Sequence, residues 1–257
     1  MENGIDTTAF LGQWPWRLQA SADAASLGVL ASRVGVSSLW VSHLASIFGF
    51  DTRSGNEALF DAVETDDRLV PFAILNPDEP TAAKELAWAV ANGARGVRLT
   101  PGYHGYQLSD PSAVALVAAV GEMGLPLHVC ARLDDERLRH RRFRADDVPL
   151  HELAELVRSQ PRLPMVLSGL KATEWDEVRA HVGAADLSNV VVDLWFVNGP
   201  VGVIARLDAD QYAFGSATPV QSALATAAQL ATAAIPADDL RKLSRGNAER
   251  VLADAGA

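Results

Sequence analysis

The sequence predicts an α/β fold, a single (β/α)8 TIM barrel with residues 1–257 forming one domain. Three observations carry this. Strand-like runs alternate with helix-like runs from end to end, the order that produces a parallel sheet with crossover helices. No Pro/Gly-rich linker, internal repeat or low-complexity tract divides the chain. A length of 257 residues with 49% hydrophobic side chains suits one large α/β domain or two small ones, with a substantial core. The competing architecture is an open Rossmann-like sheet, but the G-x-G-x-x-G turn that would hold a dinucleotide is missing.

The elements follow in order. Gly4-Ile5-Asp6 starts a first strand, and Ala22 to Val34 has a helical pattern. Leu39 to Leu44 is rich in branched and aromatic residues and reads as a strand; Glu57 to Thr65 reads as a helix. Leu69 to Leu75 is the next strand, and Thr81 to Asn92 a helix stopped by Asn92-Gly93. Gly96 to Thr100 is a strand. Asp110 and Pro111 supply an N-cap and first helical residue for Ser112 to Met123. Leu125 to Cys130 is a strand, and Asp147 lies near the Pro149 start of a helix reaching Arg158. Met165 to Leu167, Val190 to Val197 and Gln211 to Phe214 complete the strands. Thr173 to Val182 and Val220 to Ala233 are helices, and Asp238 to Asp254 is a final helix interrupted near Gly246-Asn247.

Charge and composition limit the partners. Lys+Arg is 22 against Asp+Glu 32, a net charge of -10, which disfavours nucleic acid and anionic membranes. The single cysteine, Cys130, excludes an internal disulfide and suits a reducing compartment. No basic flank precedes an apolar run at the N-terminus, and no stretch is apolar enough to span a bilayer. The expectation is a soluble cytoplasmic protein with a small-molecule substrate or ligand. Arg137 to Arg144 is the one concentrated basic run. It reads as a solvated loop or a subunit contact, which leaves homo-oligomerisation open.

In a barrel, ligand chemistry belongs at the carboxyl ends of the strands. If Cys130 points inward, strand parity puts His128 and Arg132 on its face. His128 suits a base, a substrate donor or a satisfied core histidine. Cys130 reads as a small core residue or as a nucleophile beside His128. Arg98 lies within Gly96-Val-Arg-Leu-Thr100 and must reach an anion or the wet rim, because burying it unpaired is costly. It could clamp a substrate carboxylate or pair with an internal acid. Asp193 is its acidic counterpart, suited to acid–base work or to an internal salt bridge with Arg98, and Asp6 poses the same question. His43 ends a strand pattern. His104 lies in a loop, Thr100-Pro-Gly-Tyr-His-Gly-Tyr106, that reads as a pocket wall or an ordinary turn. Trp14, Trp16 and Arg17 could wall a pocket and hold an anionic end, or pack across the barrel end.

The motifs Gly4-Ile-Asp6, Gly12-Gln-Trp-Pro-Trp-Arg17, Gly55-Asn-Glu-Ala-Leu59, Gly96-Val-Arg-Leu-Thr-Pro101, Gly124-Leu-Pro126, Gly215-Ser216 and Gly246-Asn-Ala-Glu-Arg-Val251 appear in sequence. In that order, over nearly the full chain, they resemble the amidohydrolase-related superfamily of TIM-barrel metal-dependent hydrolases, of the amidohydrolase-2 type. The resemblance implies a metal site built from a first-strand His-x-His pair, histidines after the fifth and sixth strands, and an eighth-strand aspartate. The matching positions here are Thr8, Phe10, Cys130, Gly169 and Ala217, with His128 near the fifth-strand position. Tight Zn²⁺ binding needs three or four donors, so no metal and no other cofactor is expected. A subgroup of these relatives also lacks the histidines while keeping the Gly12 loop and Gly55-Asn56, and Asn56 is carried over as a loop-organising or pocket residue.

Two functions follow. One is a metal-independent hydrolase or lyase for a small carboxylated or cyclic molecule. Arg98, Arg17, Trp14, Trp16 and Asn56 would then bind substrate, with Asp193, His128, His43 and His104 as candidates for catalysis. The other is a non-catalytic ligand-binding or assembly protein on a degenerate barrel.

Overall fold

A computed structural model describes residues 1–17, 20–139, 143, 145–184, 186–197, 199 and 202–255. The chain is an α/β fold whose nine-stranded mixed sheet curls on itself in a TIM-barrel-like manner. Its strands are β1 (Gly4–Gln13), β2 (Ser21–Ala22), β3 (Val36–His43), β4 (Leu69–Ile74), β5 (Gly96–Leu99), β6 (Leu127–Cys130), β7 (Met165–Ser168), β8 (Val190–Asp193) and β9 (Tyr212–Ala213). The order is β2-β1-β3-β4-β5-β6-β7-β8-β9, parallel throughout except for the antiparallel β1–β2 pair. Beyond β9 the chain returns to β1: Thr7 N–H donates to Phe214 O, Ala217 N–H to Thr8 O and Phe10 N–H to Thr218 O, with one parallel bridge between Ala9 and Thr218.

The helices are α1 (Ala24–Val34), α2 (Ala45–Phe48), α3 (Thr52–Val63), α4 (Ala82–Ala91), α5 (Pro101–His104), α6 (Pro111–Glu122), α7 (Leu150–Ser159), α8 (Ala172–Val182), α9 (Ala223–Thr232), α10 (Ala237–Arg241) and α11 (Asn247–Asp254). Local chemistry sets several boundaries. Asp23 and Ser26 form a reciprocal capping box at the start of α1, and Gly35, at φ 74°, ends it in the left-handed conformation. Pro111 occupies the first turn of α6 as expected, but Asp110 accepts from Gln107 N–H rather than capping the helix. Asp147 does not cap α7 either, since its carboxylate holds Arg132 and Arg139.

Two further expectations change. The first strand runs to Gln13 because Thr7 to Leu11 is buried on both faces, the pattern of a strand between core layers. The Val190 strand stops at Asp193, where Val197 N–H folds back onto Leu194 O. The last helix is interrupted where the sequence suggested, by a π-helical turn, Lys242–Gly246, between α10 and α11.

Alternation along the strands sorts two environments. Val97, Leu99, Leu127, Val129, Leu167, Val190 and Val192 join the main apolar core with helix residues such as Leu27, Leu153 and Val178. The opposite face supplies an inner apolar layer of Ile5, Trp40, Phe72, Val166, Val191 and Ala213. Gly96 makes that layer possible, since a Cβ there would lie 2.2 Å from the Phe72 ring. A second inner layer holds Phe10, Trp14, Leu44, Ile74, Cys130 and Leu133. The polar residues Arg98, His128, Thr8, Asp193 and Asp6 are buried inside the same sheet.

Candidate functional site

The buried polar residues form one hydrogen-bonded chain. Arg98 is 0% exposed, and all three of its nitrogens donate inside the protein. Nε reaches His128 Nδ1 at 2.8 Å, Nη1 reaches Ala9 O at 3.0 Å, and Nη2 reaches both Thr7 O and Trp40 O at 3.2 Å. The Phe10 ring lies 4.6 Å from the guanidinium carbon, close enough for a cation–π contact. Burial pulls the Arg98 pKa down to about 10.

Because His128 Nδ1 accepts from a guanidinium, the neutral imidazole carries its proton on Nε2. That nitrogen faces Thr8 Oγ1 at 3.4 Å, and the Thr8 hydroxyl donates to Asp193 Oδ2 at 2.6 Å. Burial and then the charge of Arg98 hold His128 well below the usual histidine range. Asp193 also accepts from Ser168 Oγ and from Gly169 N–H, while Trp195 Nε1 donates to Ser168 Oγ at 3.0 Å. Arg98 and Asp193 are therefore linked through an imidazole and a hydroxyl, rather than by the salt bridge that their sequence positions suggested. Burial raises Asp193 to about 6 despite its three donors.

Asp6 forms a second carboxyl centre beside the first. It accepts from Thr8 N–H, Ser216 N–H and Ser216 Oγ. Burial raises it to about 7, and repulsion from Asp193 acts in the same direction. The two centres approach closely because residue 215 is glycine: a Cβ there would lie 2.7 Å from Asp193 Cβ and 3.0 Å from Thr8 Oγ1.

The remaining predicted site residues lie elsewhere. His43 accepts from Ala45 N–H through Nδ1 and lines a separate cavity of about 560 Å³ with Gly12, Asp23 and Ala58. His104 donates through Nε2 to Ser46 O. Burial lowers the pKa of both imidazoles. Asn56 joins Ser46 to both backbone groups of Ile74, tying the α2–α3 turn to β4. Arg17 donates to Val220 O at 2.6 Å. Trp14 is buried and Trp16 is 45% exposed. Cys130 lies among Phe10, Ile74 and Leu133, and burial pushes its thiol up to about 12, far from a ready thiolate at neutral pH.

The mouth contains residues that the sequence did not single out. Strand parity places His128 and Cys130 inside, but Arg132 lies beyond β6 and its role is set by the loop. It donates to Asp147, Glu174 and Gly169 O. Arg139 donates to Asp134 and Asp147. Arg132, Asp135, Arg137, Asp147, Lys171 and Phe196 are among the residues lining a cavity of about 340 Å³ past the ends of β6, β7 and β8. In the basic run, Arg137 pairs with Asp135, while His140, Arg141, Arg142 and Arg144 lie outside the described residues. Ser168 was legible in principle as a polar residue two positions after Val166 on a strand. Lys171 and Phe196 required the loops to be placed.

The fold family implies a divalent metal, and the donor chemistry does not fit one. Thr8, Phe10, Cys130, Gly169 and Ala217 do fall around this region: Ala217 N–H donates to Thr8 O, and Gly169 N–H to Asp193. They contribute a ring, a high-pKa thiol, a methyl, a backbone amide and a hydroxyl already donating to Asp193. Among the described residues, no group of three or more His, Cys, Asp or Glu side chains is placed to hold a metal ion. No helix among them is long and apolar enough to cross a membrane.

Comparison with known proteins gives a consistent fold. A sequence profile described as amidohydrolase matches residues 11–253. The structure is similar to 5-carboxyvanillate decarboxylase from Sphingomonas paucimobilis, with 16% identity, TM-score 0.72, 98% of this chain and 99% of the other covered. It is also similar to a manganese-bound dihydroxybenzoic acid decarboxylase from Polaromonas sp. JS666, with 15% identity, TM-score 0.71, and 98% and 97% covered. A Pseudomonas putida protein provisionally designated a 2-pyrone-4,6-dicarboxylic acid hydrolase has 19% identity, TM-score 0.65, and 99% and 98% covered. At these identities the likeness shows the fold alone. No curated protein matches the chain.

Proposed function

The chain belongs to the amidohydrolase family, and from that premise we propose that it is a metal-independent hydrolase or lyase for a small carboxylated cyclic molecule bound at the mouth. The observation that carries this reading is a shared residue, Gly169. Arg132 at the cavity donates to Gly169 O, while Gly169 N–H donates to the buried carboxylate of Asp193. A ligand carboxylate beside Arg132, Arg137 or Lys171 and a ring against Phe196 would therefore lie one residue, Gly169, away from the buried Asp193 carboxyl. The similar proteins whose names specify carboxylated aromatic or 2-pyrone substrates support that substrate class.

Asp193 is the candidate acid–base residue, since a carboxyl held at about 6 exchanges protons near neutral pH. In hydrolysis the carboxylate takes a proton from the attacking water and returns it to the leaving oxygen. In decarboxylation the carboxylic acid protonates the ring carbon that bears the substrate carboxylate; the C–C bond then breaks, its electron pair restores the ring, carbon dioxide leaves, and Asp193 is left as the carboxylate. Entry requires Trp195 to release Ser168. Thr8 holds the Asp193 carboxyl, His128 backs Thr8, and Arg98 fixes the His128 tautomer; these are positioning residues. The hydrogen bonds between the end of the sheet and β1 support reading the curled sheet as a closed (β/α)8 barrel with this centre at its axis.

The test is turnover of hydroxybenzoates and 2-pyrone carboxylates by chelator-treated protein. Asp193→Asn is expected to lower the rate by about 10²-fold or more with binding retained. Binding without turnover in the native protein would favour the second reading, a non-catalytic ligand-binding protein. The observation on that side is that Arg98, His128, Thr8 and Asp193 already satisfy one another.

A further inference from the structure

The mouth cavity is lined by three cations, Arg132, Arg137 and Lys171, and a count of donors separates them. Arg132 is buried, and all three of its nitrogens are engaged. Nε donates to Asp147 at 2.6 Å, Nη1 to Gly169 O at 2.7 Å and to Glu174 at 2.6 Å, and Nη2 to Glu174 at 3.2 Å. A ligand carboxylate could take Arg132 only by evicting an acid of the chain, which would be left partly buried and unpaired. Arg137 holds Asp135 through Nε and Nη2, and its side chain is 82% exposed. Water screens any further contact there.

Lys171 differs from both. Its ammonium carries three N–H groups, and among the described residues Nζ donates to one acceptor, Glu174 Oε1 at 3.2 Å. Glu174 does not depend on that contact. Its carboxylate also accepts from Arg132 Nη1 and Nη2, and from the Lys171 backbone N–H at 2.9 Å. The Lys171 side chain, half exposed at the cavity, can therefore turn to a ligand while Glu174 stays paired. Its Nζ stands 5.9 Å from the centre of the Phe196 ring, a gap that a carboxylate and the ring bearing it can bridge. The acids set the opposite limit. Asp135, Glu136 and Asp147 line the same cavity and Glu174 lies beside Lys171, so these carboxylates already outnumber the three cations. One added carboxylate finds the spare donors of Lys171, whereas a second meets like charge.

We propose that Lys171 receives the ligand's carboxylate, with the ligand ring on Phe196, and that the mouth selects a ring carrying one carboxylate over a ring carrying two. Arg132 is then structural, holding Gly169, Asp147 and Glu174 in place. This rests on the mouth-ligand reading and names the substrate class within it, a cyclic monocarboxylate. It concerns which side chain binds and how much charge is accepted, whereas that reading is tested by turnover, so the two fail separately.

The experiment is calorimetric titration of the full chain with benzoate and with isophthalate, which share the ring and differ by one carboxylate. The native protein is expected to bind benzoate about tenfold more tightly than isophthalate. Lys171→Met should weaken benzoate about tenfold or more, with Lys171→Arg restoring most of the loss. Arg137→Met should change it by less than about twofold. Native benzoate affinity in Lys171→Met would overturn the proposal, as would an equal loss in Arg137→Met. Isophthalate binding as tight as benzoate, or no binding of either acid, would overturn it too. If the methionine variant does not fold, Lys171→Gln must show the same loss, and its absence counts against the proposal. Binding without turnover would sink the hydrolase or lyase reading and leave this one standing; turnover by Lys171→Met with an unchanged KM would do the reverse.

Discussion

Arg98 and Arg132 both begin beside parallel strands, yet they neutralise their charge in opposite ways. Arg98, fully buried, is surrounded by three carbonyl oxygens and a neutral imidazole. Arg132, 7% exposed at the mouth, meets two carboxylates, Asp147 and Glu174. Inside, dipoles and hydroxyls stand in for counter-ions, and Asp6 and Asp193 are likewise held by donors from Thr8, Ser168, Gly169 and Ser216 rather than by cations. At the mouth, opposite charges pair within reach of water. A saturated interior sets the fold, while a partly solvated rim can exchange one partner for a ligand.

The sharpest way to break this contrast is Arg98→Met. It strips donors from His128 and three carbonyls, and a loss of about 3 kcal/mol or more is expected in urea unfolding. A neutral result would mean that the interior does not depend on the guanidinium. Thr8→Val comes next, at about 1–3 kcal/mol. It removes the link between His128 and Asp193, and should push the Asp193 carboxyl above about 6, observable by carbon NMR titration.

The two carboxyls make a further separation between the regions. Both hold protons more tightly in the fold than in the unfolded chain, Asp6 at about 7 and Asp193 at about 6. Their contribution to stability is therefore greatest below the unfolded value of 3.8 and falls as pH rises through the folded values. A decline on the order of 2–4 kcal/mol between about pH 4 and pH 7 is expected. Asp6→Asn should flatten part of it in unfolding curves taken across that range, and an unchanged slope would remove Asp6 from the account.

At the mouth, Asp147→Asn should change stability by less than about 1 kcal/mol, since its carboxylate is partly exposed. It should nevertheless weaken the tether of Asp147 to Arg132 and Arg139, which faster proteolysis between residues 134 and 147 would detect. The smallest effect is expected from metal. Chelator treatment, or added Zn²⁺ or Mn²⁺, should leave the melting temperature unchanged. A stabilisation of several degrees would show that the hydroxyl-held carboxylates can admit a cation after all.

Much of the fold was legible because periodicity and punctuation are local properties. Val97, Val129 and Val192 alternate with Arg98, His128 and Asp193, and the alternation announces two faces before any partner is known. The replaced metal positions were legible too, since an alanine at 217 or a phenylalanine at 10 cannot supply a ligand in any conformation. The reach of β1 was understated because Asp6, Thr7 and Thr8 look polar on their own, and only closure against residues 214–218 gives their backbone and hydroxyls partners. Asp147 looked like a helix start because its attraction to Arg132 and Arg139 acts across a loop.

By itself, then, the sequence determined the alternation of elements, the family and the chemical poverty of the old ligand positions, because these depend on residue type and spacing. The tertiary structure decided that Arg98 and Asp193 communicate through His128 and Thr8, and that Phe143 lies against Trp16, Phe48 and Tyr103. Such contacts join segments as far apart as 185 residues, and the pairing of a buried charge depends on which distant donor or ring the folded chain brings within hydrogen-bonding or van der Waals range.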